Sequence, residues 1–196
     1  KWLVAPTATV RSLDFAELRE LDVGRIDPKS GYYRRFSDQQ GMDGVSMPAL
    51  TKVFELVQCR GDPRVRFNIE TKLSPLFPDE APQPEEFVKV LLATVAAAGV
   101  TDRVTIQSFD WRVLRLVRRF APQVTVSYLT NQQPPDATIL TSVASPWTDG
   151  IGYSMHGSVP RMIAAAVATA PIASPAGIIW SPHFADLSEA AVEEAH

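Results

Sequence analysis

The sequence predicts an α/β protein built from parallel β-α units. Three observations carry the prediction. Short, mostly apolar runs begin near residues 65, 104, 124, 150 and 177, amphipathic helical stretches separate them, and the spacing of roughly 20 to 40 residues is that of a strand plus its crossover helix. Five such units fit either an open doubly wound sheet or most of an eight-stranded barrel, and periodicity alone does not choose between them.

Taken in order, residues 1–48 are irregular. A helical stretch over 14–21 gives way to a polar segment punctuated by Gly24, Pro28, Gly31, Gly41, Gly44 and Pro48, the composition of an excursion from a scaffold. Regular units begin at Ala49, where Leu50, Val53, Phe54 and Val57 recur at helical spacing and Gly61-Asp62-Pro63 ends the helix. We therefore read residues 1–196 as one partial domain, with 1–48 inserted and 49–196 carrying the β/α units.

Residues 65–72 alternate as a strand should, with Val65, Phe67 and Ile69 on one face and Arg66, Asn68, Glu70 and Lys72 on the other. After a proline-rich loop, Glu85 and Glu86 open a helix, where carboxylates suit the positive end of the helix dipole, and Gly99 can cap its end. Residues 104–107 read as a strand, Asp110 as an N-cap, and 111–120 as a helix stopped before Pro122. Further strands are predicted at 124–129, 150–153 and 177–180, with helices at 161–169 and 188–195.

Composition bounds the function. The chain has 196 residues, 45% of them hydrophobic, which suits one globular domain. Its 19 Lys and Arg against 22 Asp and Glu leave a net charge of −3, with no basic field to attract a nucleic-acid backbone. The longest apolar stretches stop near ten residues, short of the roughly 18 that a membrane span needs. The opening Lys1-Trp2-Leu3-Val4-Ala5-Pro6 is not an intact signal peptide. Cys59 is the single cysteine, so it forms no intrachain disulfide and fits either the cytoplasm or a compartment outside the inner membrane.

Glu70 and Lys72 are the sharpest candidates for chemistry, because strand parity puts both on one face near the strand's C-terminal end, where sites are built in both candidate folds. A carboxylate and an ammonium so placed can hold a hard cation and a phosphate; the plain alternative is a strand-end ion pair. Gln107-Ser108-Phe109-Asp110 and Trp180-Ser181-Pro182-His183-Phe184 stand at equivalent strand ends and converge on Glu70 if the sheet is parallel. Ser108 lacks the Gly-x-Ser-x-Gly elbow of a serine nucleophile. His156, His183 and His196 have no metal-ligand spacing, and Gly150-x-Gly152 lacks the third glycine of a dinucleotide site. Arg112, Arg115, Arg118 and Arg119 read as a solvated helix face.

Phe67-Asn68-Ile69-Glu70-Thr71-Lys72 resembles the central strand motif of the glycerophosphodiester phosphodiesterases, metal-dependent TIM (β/α)8-barrel hydrolases. Met47-Pro48-Ala49-Leu50, Gln107-Ser108-Phe109-Asp110 and Trp180-Ser181-Pro182 resemble further stretches of the same family in the same order, and residues 14–19 resemble the helix of its inserted segment. The resemblance implies hydrolysis of a small glycerophosphodiester to glycerol 3-phosphate and an alcohol. It implies a divalent cation, Ca²⁺ or Mg²⁺, with Glu70 as one carboxylate ligand, Lys72 beside the phosphate, and Phe109 and Trp180 against the substrate. The family's Glu-x-Asp ligand pair and its two catalytic histidines have no counterpart in these residues; Glu20-Leu21-Asp22 has the letters but falls in the inserted segment. The expectation is an interior part of a longer enzyme, spanning the third to seventh barrel strands. Alternatives are a silent barrel remnant that binds a phosphate ligand or a partner chain, and another barrel phosphodiesterase of phospholipase type. A homo-oligomer is compatible with the sequence.

Overall fold

The computed structural model describes residues 8–169 and 177–195. The chain divides into two compact units, Lys1–Cys59 and Arg60–His196; the opening residues and His196 lie outside the described residues.

In the first unit, helix α1 (Phe15–Glu20) starts with a reciprocal cap: Asp14 accepts from the Glu17 amide and Glu17 from the Asp14 amide, each at 2.8 Å. Helix α2 (Gly31–Arg35) follows, capped by Ser30, and helix α3 (Leu50–Arg60) runs to the boundary. Between α1 and α2 the Asp22 carboxylate accepts from the amides of Gly24 at 2.9 Å and Gly44 at 2.8 Å. Those donors, Gly24 first, hold Asp22 below the ordinary carboxylate range. A side chain at position 24 would place its Cβ 2.1 Å from the Met42 carbonyl oxygen, so glycine is required there. Both oxygens of Asp22 thus serve the loop. Phe54 is the sole buried hydrophobic side chain among the described residues of this unit.

The second unit is a parallel sheet of four described strands in sequence order: β1 (Phe67–Glu70), β2 (Val104–Ser108), β3 (Thr125–Thr130) and β4 (Ile178–Pro182). Helix α4 (Pro84–Ala97) links β1 to β2, with Pro84 at its first turn and Gly99 at φ +66° beyond its end. Helix α5 (Trp111–Phe120) links β2 to β3. Its N-cap Asp110 is wholly buried and receives the Arg112 amide at 3.1 Å and the Arg112 guanidinium at 2.9 and 2.6 Å. Ile106, Val113, Leu114, Val117 and Val126 are fully buried in this layer. The Trp111 and Tyr128 rings meet edge to face at 5.1 Å, within the range where aromatic pairs attract. Helices α6 (Tyr153–His156), α7 (Val159–Ala168) and α8 (Glu189–Ala195) complete the described α-helices. Among the described residues, no helix is long and apolar enough to cross a membrane.

Two expectations are corrected here. Residues 150–153 form no strand, because Asp149 at φ 54° and Gly150 at φ 84° are both left-handed and Tyr153 already starts α6. As a result β3 pairs directly with β4. The arginines of α5 are also not a uniformly solvated face. Arg118 is buried and donates to the Val167 carbonyl at 3.1 Å, while Arg112 and Arg115 pair with Asp110 and Asp149.

Candidate functional site

Parallel register places partners on the same side of the sheet, and it reads Glu70, Gln107, Ser127, Ile179 across the four strands. The intervening residues Ile106 and Tyr128 belong to the core with α5, so the Glu70 row lies on the opposite side. That side is polar. Asn68, Thr105 and Thr125 form the row below, and Ser181 follows Ile179 two residues on. Asn68 Nδ2 donates to Gln107 Oε1 at 2.9 Å, and the hydroxyls of Ser127 and Ser181 are 2.7 Å apart.

Glu70 and Lys72 are brought together. Lys72 Nζ donates to Glu70 Oε1 at 2.6 Å, with the carboxylate side chain 26% exposed and the lysine 80%. Between them, Thr71 turns to the other side of the sheet, where its buried hydroxyl donates to Ser108 Oγ at 2.8 Å, and its amide donates to the Gln107 carbonyl at 3.1 Å. Two bonds from Thr71 therefore tie the chain that carries Glu70 and Lys72 to the end of β2. Ser108 in turn accepts from the Asp110 amide at 3.1 Å, which makes it part of the turn into α5.

Phe109 continues from β2 beyond Ser108, and its ring meets Trp147 at 6.5 Å and 75°. Trp180 is not brought to Glu70. It pairs in register with Tyr128 on the helix-facing side, its Nε1 donates to Thr130 Oγ1 at 2.9 Å, and it lines a cavity of about 380 Å³ with Gln132, Tyr153 and Asp186. One residue of strand parity separates the two outcomes. His183 serves the backbone: its amide donates to the Thr130 carbonyl at 2.8 Å and its Nδ1 accepts from the Ala185 amide.

No group of three or more His, Cys, Asp or Glu side chains that could hold a metal ion occurs among the described residues. Glu70 supplies one hard oxygen ligand and faces an ammonium, whereas Ca²⁺ takes six to eight such ligands. The described residues alone therefore do not make a complete cation site. Sequence reading missed two partners of the site: the cross-strand Asn68–Gln107 pair and the ring of Trp147. The parity of β1 had placed Asn68 beside Glu70, but register across strands is a tertiary property.

The fold and this row define the class: a parallel α/β protein with its polar side chains gathered at the carboxyl ends of the strands, where such sheets carry their sites. The chain belongs to the glycerophosphoryl diester phosphodiesterase family, whose sequence profile matches residues 4–167. The fold of that family is the TIM barrel, and its members generally depend on a divalent cation. A solved structure from Silicibacter pomeroyi DSS-3, assigned as a glycerophosphoryl diester phosphodiesterase, is 30% identical with a TM-score of 0.77. The match covers 100% of this chain but 58% of that one, so this chain spans less than two thirds of its relative. A glycerophosphodiester phosphodiesterase structure from Parabacteroides distasonis ATCC 8503 is 20% identical with a TM-score of 0.36, covering 50% of this chain and 38% of that one. A structure from Galdieria sulphuraria, assigned as a glycerophosphodiester phosphodiesterase, is 16% identical with a TM-score of 0.49, covering 96% of this chain and 64% of that one. No curated protein matches.

Proposed function

We propose that this chain carries part of the site of a phosphodiesterase that hydrolyses small glycerophosphodiesters to glycerol 3-phosphate and an alcohol. One observation supports the reading above the rest: a carboxylate and an ammonium stand 2.6 Å apart at the carboxyl end of β1, on the polar side of the sheet. In this reading Glu70 is one ligand of a divalent cation, Ca²⁺ or Mg²⁺, whose chemistry when bound is to polarise the phosphodiester oxygens. Lys72 leaves Glu70 for a phosphoryl oxygen and offsets its negative charge. Phe109 packs against the alcohol portion, and residues 1–48 are the inserted segment.

A second reading is a phosphate-binding barrel without turnover, in which His183 serves to cap a turn and His156 to end α6. One assay separates the two. Release of glycerol 3-phosphate from glycerophosphocholine is followed with Mg²⁺ or Ca²⁺ present, for the unmutated protein and for Glu70→Ala and Lys72→Ala. Turnover that falls by a factor of about 100 or more in each variant supports the hydrolase, on the scale of removing one charge-stabilising group. Turnover unchanged by Glu70→Ala rules the site out, and binding of glycerol 3-phosphate without any turnover supports the second reading.

A further inference from the structure

We propose that Gln107 is a second donor to the phosphoryl group and that Asn68 is the positioning residue that aims it. The inference rests on the site reading above and extends it to two residues outside the Glu70–Lys72 pair. Gln107 is the register partner of Glu70, half-buried on the same polar side of the sheet. Its carboxamide is held from one end: Asn68 Nδ2 donates to Gln107 Oε1 at 2.9 Å.

The structure orients the pair with Asn68 as the donor and Gln107 as the acceptor. With Oε1 engaged as the acceptor, the other end of the amide must be the NH₂ group, which carries two N–H donors. Neither donor has a partner among the described residues. A half-buried pair of unused donors on the polar side of the sheet suits an acceptor-rich ligand, which can take up both N–H groups at once. Lys72, one row above on β1's continuation, adds a positive charge to the same side. Two neutral N–H groups and an ammonium on one side of the sheet complement an anion with several oxygens, the chemistry of a phosphoryl group. The neutral amide also avoids adding a second positive charge beside Glu70, whose carboxylate is the cation ligand in this reading.

The Gln107→Glu variant is nearly isosteric and keeps an oxygen for Asn68 to donate to, but it replaces the two N–H donors by an acceptor. Titration of sn-glycerol 3-phosphate into the full chain with Mg²⁺ present should show affinity reduced about tenfold to a hundredfold, the range for a hydrogen bond to a charged group. Mg²⁺ affinity measured alone should be unchanged or higher, since the new carboxylate lies beside Glu70. That opposite response separates loss of a phosphate donor from loss of structure. Asn68→Asp presents only acceptors, which draws the Gln107 NH₂ toward position 68. We expect several-fold weaker binding, and loss of the shift that glycerol 3-phosphate causes in the Gln107 side-chain amide NMR signal. Unmutated affinity in Gln107→Glu, with weakened binding in Lys72→Ala, would overturn this inference and leave the site reading standing. No binding by the unmutated chain, or full binding by both variants, would overturn the site reading and this inference with it.

Discussion

The two sides of the β1–β4 sheet are built on opposite terms. On the helix-facing side, Ile106 and Val126 are fully buried and Tyr128 is 1% exposed, packed against Trp111. On the other side the same strands present Asn68, Glu70, Thr105, Gln107 and Ser127, with Asn68 bonded across to Gln107 and Ser127 across to Ser181. Barrel interiors are usually filled by branched apolar residues. A polar row in that place does little for stability by area burial, since a hydrogen bond contributes about 1 kcal/mol net while burial of one large apolar side chain contributes about 1.5–3 kcal/mol. The difference assigns stability to one side of each strand and chemistry to the other, with a single residue of register between them.

Adjacent substitutions give the largest test of this division. Ile106→Ala should cost about 2–5 kcal/mol, from lost burial plus a cavity between β2 and its helices. Its neighbour Gln107→Ala should stay within about 1 kcal/mol, because it loses one half-exposed amide bond. Denaturant unfolding of the two variants checks the prediction. Equal losses at positions 106 and 107 would show that the polar side is packed like a core.

How much of this was legible in the sequence depended on which side a residue serves. The strands at β1, β2 and β3 and the helices α4 and α5 follow from apolar periodicity and caps, and Asp110 was identified as the cap it is. The failure at residues 150–153 has a local cause: two consecutive left-handed residues, one of them a non-glycine, interrupt an apolar run that composition alone favours as a strand. Arg118 failed for a tertiary reason, since only the arrival of α7 supplies the carbonyl that lets a guanidinium be buried. On the polar side, parity correctly grouped Asn68 with Glu70, but which residue of β2 would stand opposite was not encoded in either strand by itself. Register depends on how strands of one sheet are staggered, which a single sequence does not display.

The join between the two sides gives an intermediate effect. Asp110 is wholly buried at the start of α5, two residues after Ser108 at the strand end, and it accepts from both the Arg112 amide and its guanidinium. Asp110→Ala removes the cap and leaves Arg112 without its partner; we expect about 1–3 kcal/mol of destabilisation. Asp110→Asn keeps a capping oxygen and should recover roughly half of that loss. Thermal unfolding of the pair measures it, and identical midpoints for the Asn and Ala variants would show that the ion pair outweighs the cap.

The smallest expected effect is the most discriminating for the division itself. Trp180 belongs by sequence to a strand end that should converge on Glu70, yet parity sends it to the helix-facing side, where Nε1 donates to Thr130 Oγ1 at 2.9 Å. Trp180→Phe keeps most of the aromatic surface and removes that bond, for a loss of about 1 kcal/mol. Affinity for glycerol 3-phosphate should not change, because residue 180 is the register partner of Tyr128 and so falls on the side of the sheet opposite the Glu70 row. A weakened ligand with an unmoved unfolding midpoint would place Trp180 in the binding machinery, and the two sides of the sheet would no longer divide the work between them.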